Sequence, residues 1–224
     1  MKKNFLKLLV VIILIIILSI FLMVILYSRI MPVYLNYAEG EMETIVTTVI
    51  NKSITDDITN KLDIESLFIV KSNDNTKTTI VDFDPVILNK VMSSISDVVY
   101  TNLKLVSEKD SETLKKYNIK DNIFYIPTGI IFDSVLLNNL GPRIPINMEI
   151  ISSINPDIET QVTEYGINNS LIEVFIHVIV DVRMILPISS SNIRITVVVP
   201  LAVKLIQGNV PEYYLGGFFE TKNS

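Results

Sequence analysis

The chain has 224 residues, 49% of them hydrophobic and 19% charged, with a net charge of −5. Cysteine and tryptophan are absent and there is one histidine, which removes disulfide scaffolds, thiolate metal sites, Cys nucleophiles and any device needing two histidines. This hydrophobicity argues against disorder, and the acidic balance argues against a nucleic-acid partner.

The hydrophobicity is uneven. Leu8 to Leu26 is nearly unbroken Val, Ile and Leu, with Ser19 as the one weak interruption. At about 1.5 Å per helical residue, such a run spans a hydrocarbon core of roughly 30 Å. Lys2, Lys3 and Lys7 precede it, and no Asp or Glu occurs before Glu39. That flank predicts a cytoplasmic N-terminus and an extracytoplasmic body. The run exceeds a signal-peptide core of about 7–15 residues, and no small-x-small cleavage pattern follows it. An uncleaved single-pass anchor is therefore expected, with the bilayer as its partner. Removing Lys2, Lys3, Lys7 and Arg29 from the 19 basic residues leaves 15 against 24 acidic ones, so the body carries −9.

Pro32 is expected to end the anchor. Leu35, Ala38, Met42, Ile45 and Val49 then follow helical spacing, with Val46, Ile50, Ile54 and Ile58 widening the stripe. This predicts an amphipathic helix from about residue 34 to 61, packed on its own domain, because the stripe is too wide and short for a coiled-coil seam. Leu67–Val70 and Thr78–Phe83 flank Asn73-Asp74-Asn75 and read as a hairpin. Asp84-Pro85 is a cap followed by a first-turn proline, opening a helix over about 85–106. Residues 107–122 read as a solvated loop, or a short helix around Glu112–Tyr117.

From Ile123 the pattern turns to strands. Ile123–Pro127 and Ile144–Ile151 are expected strands, with a short helix over Ser134–Leu140 closed by Gly141-Pro142. Ile158–Tyr165 alternates, and Gly166 to Asn169 reads as a loop. Over Leu171–Leu186 every even position is apolar, from Ile172 to Leu186. A period of two places these on one face of a sheet. Ile193, Ile195, Val197 and Val199 carry the return strand. Helices followed by antiparallel strands make an α+β fold: an N-terminal transmembrane helix, then an extracytoplasmic domain with long helices packed on a mostly antiparallel sheet. The expected organisation is a head over residues 1–7, an anchor over 8–30, an amphipathic helix over 31–62, an α+β domain over 63–215 and a tail over 216–224.

Catalytic signatures are scarce. No Gly-x-Ser-x-Gly, P-loop or Gly-x-Gly-x-x-Gly is present. Glu173, His177 and Asp181 lie on the polar face of the long strand, but neighbours in that series are roughly 13 Å apart, too far to share a metal. Across the hairpins, Glu159 is expected near His177, and Asp181 and Arg183 near Arg194. A carboxylate–histidine pair can exchange a proton, but cross-strand ion pairing on a half-exposed face accounts for these residues without chemistry. Arg143 stands between two prolines. Arg143, Glu159, His177, Asp181, Arg183 and Arg194 are candidate partner contacts; no catalytic residue, metal ligand or cofactor is expected.

The C-terminal half carries a series of phrases: Ile126-Pro127-x-Gly129, then Leu136-Leu137 leading to Gly141-Pro142-Arg143-Ile144-Pro145-Ile146. Gly166-Ile167-Asn168, Ile185-Leu186-Pro187, Val199-Pro200-Leu201-Ala202 and Ile206-x-Gly208-x-Val210-Pro211-x-x-Tyr214 follow. With the N-terminal anchor, this order resembles the YunB family of sporulation proteins over about residues 30–215. The resemblance implies a protein in the mother-cell membrane that supports endospore formation, with other sporulation proteins as partners. It implies no reaction. Read with the missing catalytic signatures, it favours a non-catalytic structural or assembly factor. A binding module for a lipid or cell-wall fragment is the alternative, and a hydrolase using Glu159, Glu173, His177 or Asp181 is a third.

Overall fold

The computed structural model describes residues 2–59, 64–73, 78–132, 134, 136–166, 169–187 and 189–207. The expected hairpin turn at Asp74-Asn75, the loop at Ile167-Asn168, the last phrase from Gly208 and the tail lie outside these residues. The chain is α+β, with one long N-terminal helix and antiparallel strands.

Helix α1 runs Lys2–Lys52 without interruption. The break expected at Pro32 does not occur: Pro32 lies inside the helix. Proline deletes one N–H and crowds the carbonyl four residues back, here that of Ser28, yet long apolar helices tolerate it where nearby hydroxyls and small backbone adjustments compensate. The Ser28 hydroxyl donates to the Ile25 carbonyl at 2.9 Å, one turn before the carbonyl that Pro32 leaves without its helical donor, so the helix continues through Pro32 at the cost of one backbone hydrogen bond. The predicted stripe is buried from Ala38 onward, at Ala38, Met42, Ile45, Val46, Val49 and Ile50. At its start the structure differs: Leu35 is half-buried and its neighbour Tyr34 lies inside. The helix then widens into a π-turn over Ser53–Thr59, with Ile54 and Ile58 still inside.

Strands β1 (Phe68–Asn73) and β2 (Thr78–Phe83) pair antiparallel with Phe68 opposite Phe83, as the hairpin reading predicts. Helix α2 spans Pro85–Ser107, and the Asp84 carboxylate accepts from the N–H groups of Val86 and Ile87. Helix α3 (Ser111–Tyr117) is the short-helix option for the polar stretch. Asp110 caps it: its carboxylate accepts from the Thr113 hydroxyl and N–H, which holds its pKa below the usual carboxylate range.

Strand β3 is Tyr125–Pro127 and pairs with β4, Arg143–Pro145. The expected strand over Ile144–Ile151 is thus two, β4 and β5 (Asn147–Ile150). They separate at Ile146, whose N–H turns to the Phe124 carbonyl at 2.8 Å. Ser134–Leu140 is not a helix. Its described residues form turns, and Gly141 closes them at φ 87°. Strands β6 (Asn155–Tyr165), β7 (Asn169–Ile185) and β8 (Ser190–Gln207) complete the main sheet, where β7 is hydrogen-bonded to β5, β6 and β8. β6 and β7 are antiparallel, with Val162 opposite Ile172. The alternation in β7 is strict: Val174, Ile176, Val178, Val180, Val182 and Met184 have no exposed surface.

The chain divides into two compact units. One comprises Met1–Ile45, Ile119–Glu149 and Arg183–Ile193. Its core includes Met42, Phe124, Ile126, Ile146 and Met184. The other comprises Val46–Asn118, Ile150–Val182 and Arg194–Ser224. There α2 buries Val91, Ile95, Val99 and Leu103, and the Ser96 hydroxyl donates to the Ile154 carbonyl at 2.6 Å.

Candidate functional site

Two regions can be weighed as sites. The first is the polar face of β7. The β6–β7 register sets Asp157 opposite His177 and Glu159 opposite Phe175. Glu159 therefore reaches His177 on the diagonal, Oε2 to Nε2 at 2.7 Å, as the sequence leads one to expect. The Glu159 side chain is 66% exposed, so water screens the pair. Arg194 grips Asp181 with Nε and Nη2 at 2.7 and 3.1 Å, which holds the Asp181 carboxyl below its ordinary range. Arg183 bonds elsewhere. Its contacts are Glu149 at 3.5 Å and the Asn192 amide oxygen at 3.1 Å. Arg143 is exposed at the start of β4. Of the six candidates, Glu159 pairs with His177 and Asp181 with Arg194, Arg183 turns to Glu149 and Asn192, and Arg143 stands apart. Among the described residues no three of His, Cys, Asp and Glu converge as a metal-ligand set.

Exposed ion pairs are worth about 0–1 kcal/mol, and surface substitutions usually about ±0.5 kcal/mol. His177→Ala is expected to leave both thermal stability and spore yield at the parental level. A clear fall in spore yield with intact protein levels would give the pair a functional role.

A polar cluster, buried at Ser53 and Tyr117, exposed at Lys116 and not anticipated from the sequence, ties the π-turn to α2 and α3. The fully buried Ser53 hydroxyl lies 3.1 Å from the Tyr117 hydroxyl and accepts from the Asn102 amide at 2.9 Å. Lys116 meets the Asp57 carboxylate at 2.8 Å. Burial disfavours the Lys116 charge, but hydrogen bonds involving Asp57 and Tyr117 outweigh it and raise the ammonium pKa. π-Turns often mark functional sites, but here each named group has a partner inside the fold, which makes the cluster a fastening.

The second region is apolar. The lining of a cleft of about 700 Å³ includes the α1 residues Leu18, Leu22 and Met31 on one side and Ile144, Leu186 and Pro187 on the other. Helix α1 is long and apolar enough to cross a membrane, and its most apolar window, with a mean hydropathy of 3.7, has none of its residues buried. Leu18 is 52% exposed and Met23 74%, so the cleft is a flank of that apolar helix and not an enclosed pocket.

Residues 123–213, which include both the cleft wall and β7, match the family model of sporulation protein YunB. Sporulation protein YunB of Bacillus subtilis (strain 168) is 33% identical over 189 residues, covering 84% of this chain and 73% of that protein. The chain belongs to the YunB family of sporulation proteins. No solved structure matches it. YunB membership ties the chain to sporulation. Within the matched segment, Gly129 is where a side chain is excluded: an added Cβ would overlap the Leu137 carbonyl oxygen and come within 2.8 Å of the Leu140 oxygen. The sequence signal that accompanies this loop is composition. Between Ile123 and Pro142, Asp133 is the one charged residue.

Proposed function

We propose that this chain is a membrane-anchored, non-catalytic structural or assembly factor in the mother-cell envelope during endospore formation. The observation that carries the reading is the continuity of α1. One helix passes from a fully uncovered apolar run into the buried stripe Tyr34, Ala38, Met42 and Ile45. Apolar surface of that extent is stable only against lipid or protein, and a run of its length fits a bilayer core. The lysines before it favour a cytoplasmic N-terminus and an extracytoplasmic body. Family membership supplies the sporulation context. A crosslinker applied to sporulating cells, followed by pull-down of the full chain, is expected to yield discrete complexes with other envelope proteins in the membrane fraction. A chain recovered from membranes only as an uncrosslinked monomer would overturn the assembly role.

A second reading, a binding module for a lipid or cell-wall fragment, draws on the apolar cleft beside α1. It favours a lipid over a cell-wall fragment, because the named lining residues are aliphatic. Lipid retained in stoichiometric amounts by the detergent-purified full chain would support it.

A further inference from the structure

We infer that the chain contacts its membrane at a second place: Phe132, Leu136 and Leu140, together with Pro187, are seated in the leaflet from which α1 emerges. This rests on the reading of α1 as a membrane anchor. The loop exposes large apolar side chains, with Phe132 at 66%, Leu136 at 87% and Leu140 at 56% exposure. Three such residues within nine positions of one loop, on the same unit as the uncovered run of α1, call for a covering.

Three features make the covering a bilayer leaflet and not a protein. First, the Tyr34 hydroxyl donates to the Thr128 carbonyl at 3.3 Å, which fastens the loop to α1 just past the apolar run. At 1.5 Å per residue, Tyr34 lies about 12 Å along the helix from Leu26, close to the headgroup layer. Second, Ile144, Leu186 and Pro187 line one apolar cleft with α1 residues on both sides of Leu26, among them Leu22 and Met31. Where the helix spans, the cleft opens at the boundary between acyl chains and headgroups. Third, the flanking polar chemistry is interfacial. Tyr27 on α1 is an aromatic of the kind enriched at the membrane surface, and the exposed Arg29 and Arg143 can meet headgroup phosphates. All these residues belong to one compact unit.

The absence of tryptophan allows a direct test. Leu136→Trp and Pro187→Trp are each made in the full chain, with Leu18→Trp as the probe of the anchor. Each protein is reconstituted in phosphatidylcholine–phosphatidylglycerol vesicles whose acyl chains carry bromine either near the headgroup or at the chain end. Leu18→Trp is expected to lose emission to the deep bromines. Leu136→Trp and Pro187→Trp are expected to shift to the blue and lose emission to the shallow bromines. Leu136 is largely exposed and Pro187 is exposed, so neither change disturbs the core. Quenching of Leu18→Trp without quenching of Leu136→Trp would overturn the second contact and leave the anchor standing. Failure to quench Leu18→Trp would overturn both.

Discussion

Three lysines placed in the apolar run, Leu14→Lys, Ile17→Lys and Phe21→Lys together, are expected to release the chain from membranes, whereas Leu14→Lys alone is not. Each central Leu, Ile, Val or Phe contributes about −0.3 to −0.6 kcal/mol to insertion, so the whole run supplies on the order of −8 kcal/mol. One central lysine costs about 2.5–3.5 kcal/mol, which leaves insertion favourable, while three together cancel it. Leu14, Ile17 and Phe21 are 62%, 62% and 61% exposed, and none of them lines the cleft. The substitutions therefore act on the membrane and not on a core. Carbonate extraction of membranes from sporulating cells reads the result. The single variant stays in the pellet; the triple variant leaves it, and spore yield falls to that of cells lacking the protein. A triple variant that remains carbonate-resistant would mean that α1 is not the anchor.

The second large effect is expected at Gly129. Its N–H donates to the Leu140 carbonyl at 2.8 Å, so the backbone of Leu137–Leu140 folds down against it. A methyl group there would overlap the Leu137 carbonyl oxygen, and a backbone atom cannot step aside as a flexible side chain can. Gly129→Ala is expected to cost about 1–3 kcal/mol or more through overpacking. It should also make the loop newly sensitive to protease. Gly40→Ala is the matched control. Gly40 lies inside α1 with nothing within 4 Å of a Cβ, and Gly to Ala in a helix interior gains roughly 0.5–1 kcal/mol. Thermal melts of the detergent-solubilised chain should therefore move in opposite directions for the two variants. A Gly129→Ala protein that melts and digests like the parent would show that the loop does not close as described.

Much of this architecture is legible in the sequence, for reasons that differ by element. Asp84-Pro85 announces α2 because cap and first-turn proline are local signals that packing rarely overrides. β7 is legible because eight consecutive even positions are apolar, and a period of two has one structural meaning. The nearness of Glu159 to His177, and of Asp181 to Arg194, follows once the hairpins are placed. Pro32 misleads because one lost hydrogen bond and one local clash are a small penalty on a helix that runs from Lys2 to Lys52. Ser134–Leu140 misleads because its apolar spacing suits a helix, while its backbone is committed to Gly129. The split between β4 and β5 depends on one distant carbonyl, that of Phe124. The π-turn at Ser53 has no sequence signature, since a one-residue slip in hydrogen bonding changes no pattern. The loop's outward-facing Phe132, Leu136 and Leu140 are the deepest loss. Periodicity reasoning assigns apolar residues to an interior and has no way to represent an exterior that is itself apolar.

The unbroken passage of α1 through Pro32 also fixes an angle. With α1 as the anchor proposed above, a flexible joint at Pro32 would let the residues beyond it swivel about the membrane normal. A continuous helix does not: each residue turns it by about 100°, so the side of the body that carries Phe132 and Leu136 has a set azimuth relative to the faces of the anchor. The stretch between Leu26 and Tyr34 thus behaves as a keyed shaft, in which residue count determines rotation as well as height. An inserted or deleted residue there would turn Phe132 and Leu136 by about 100° about the helix axis relative to the faces of the apolar run.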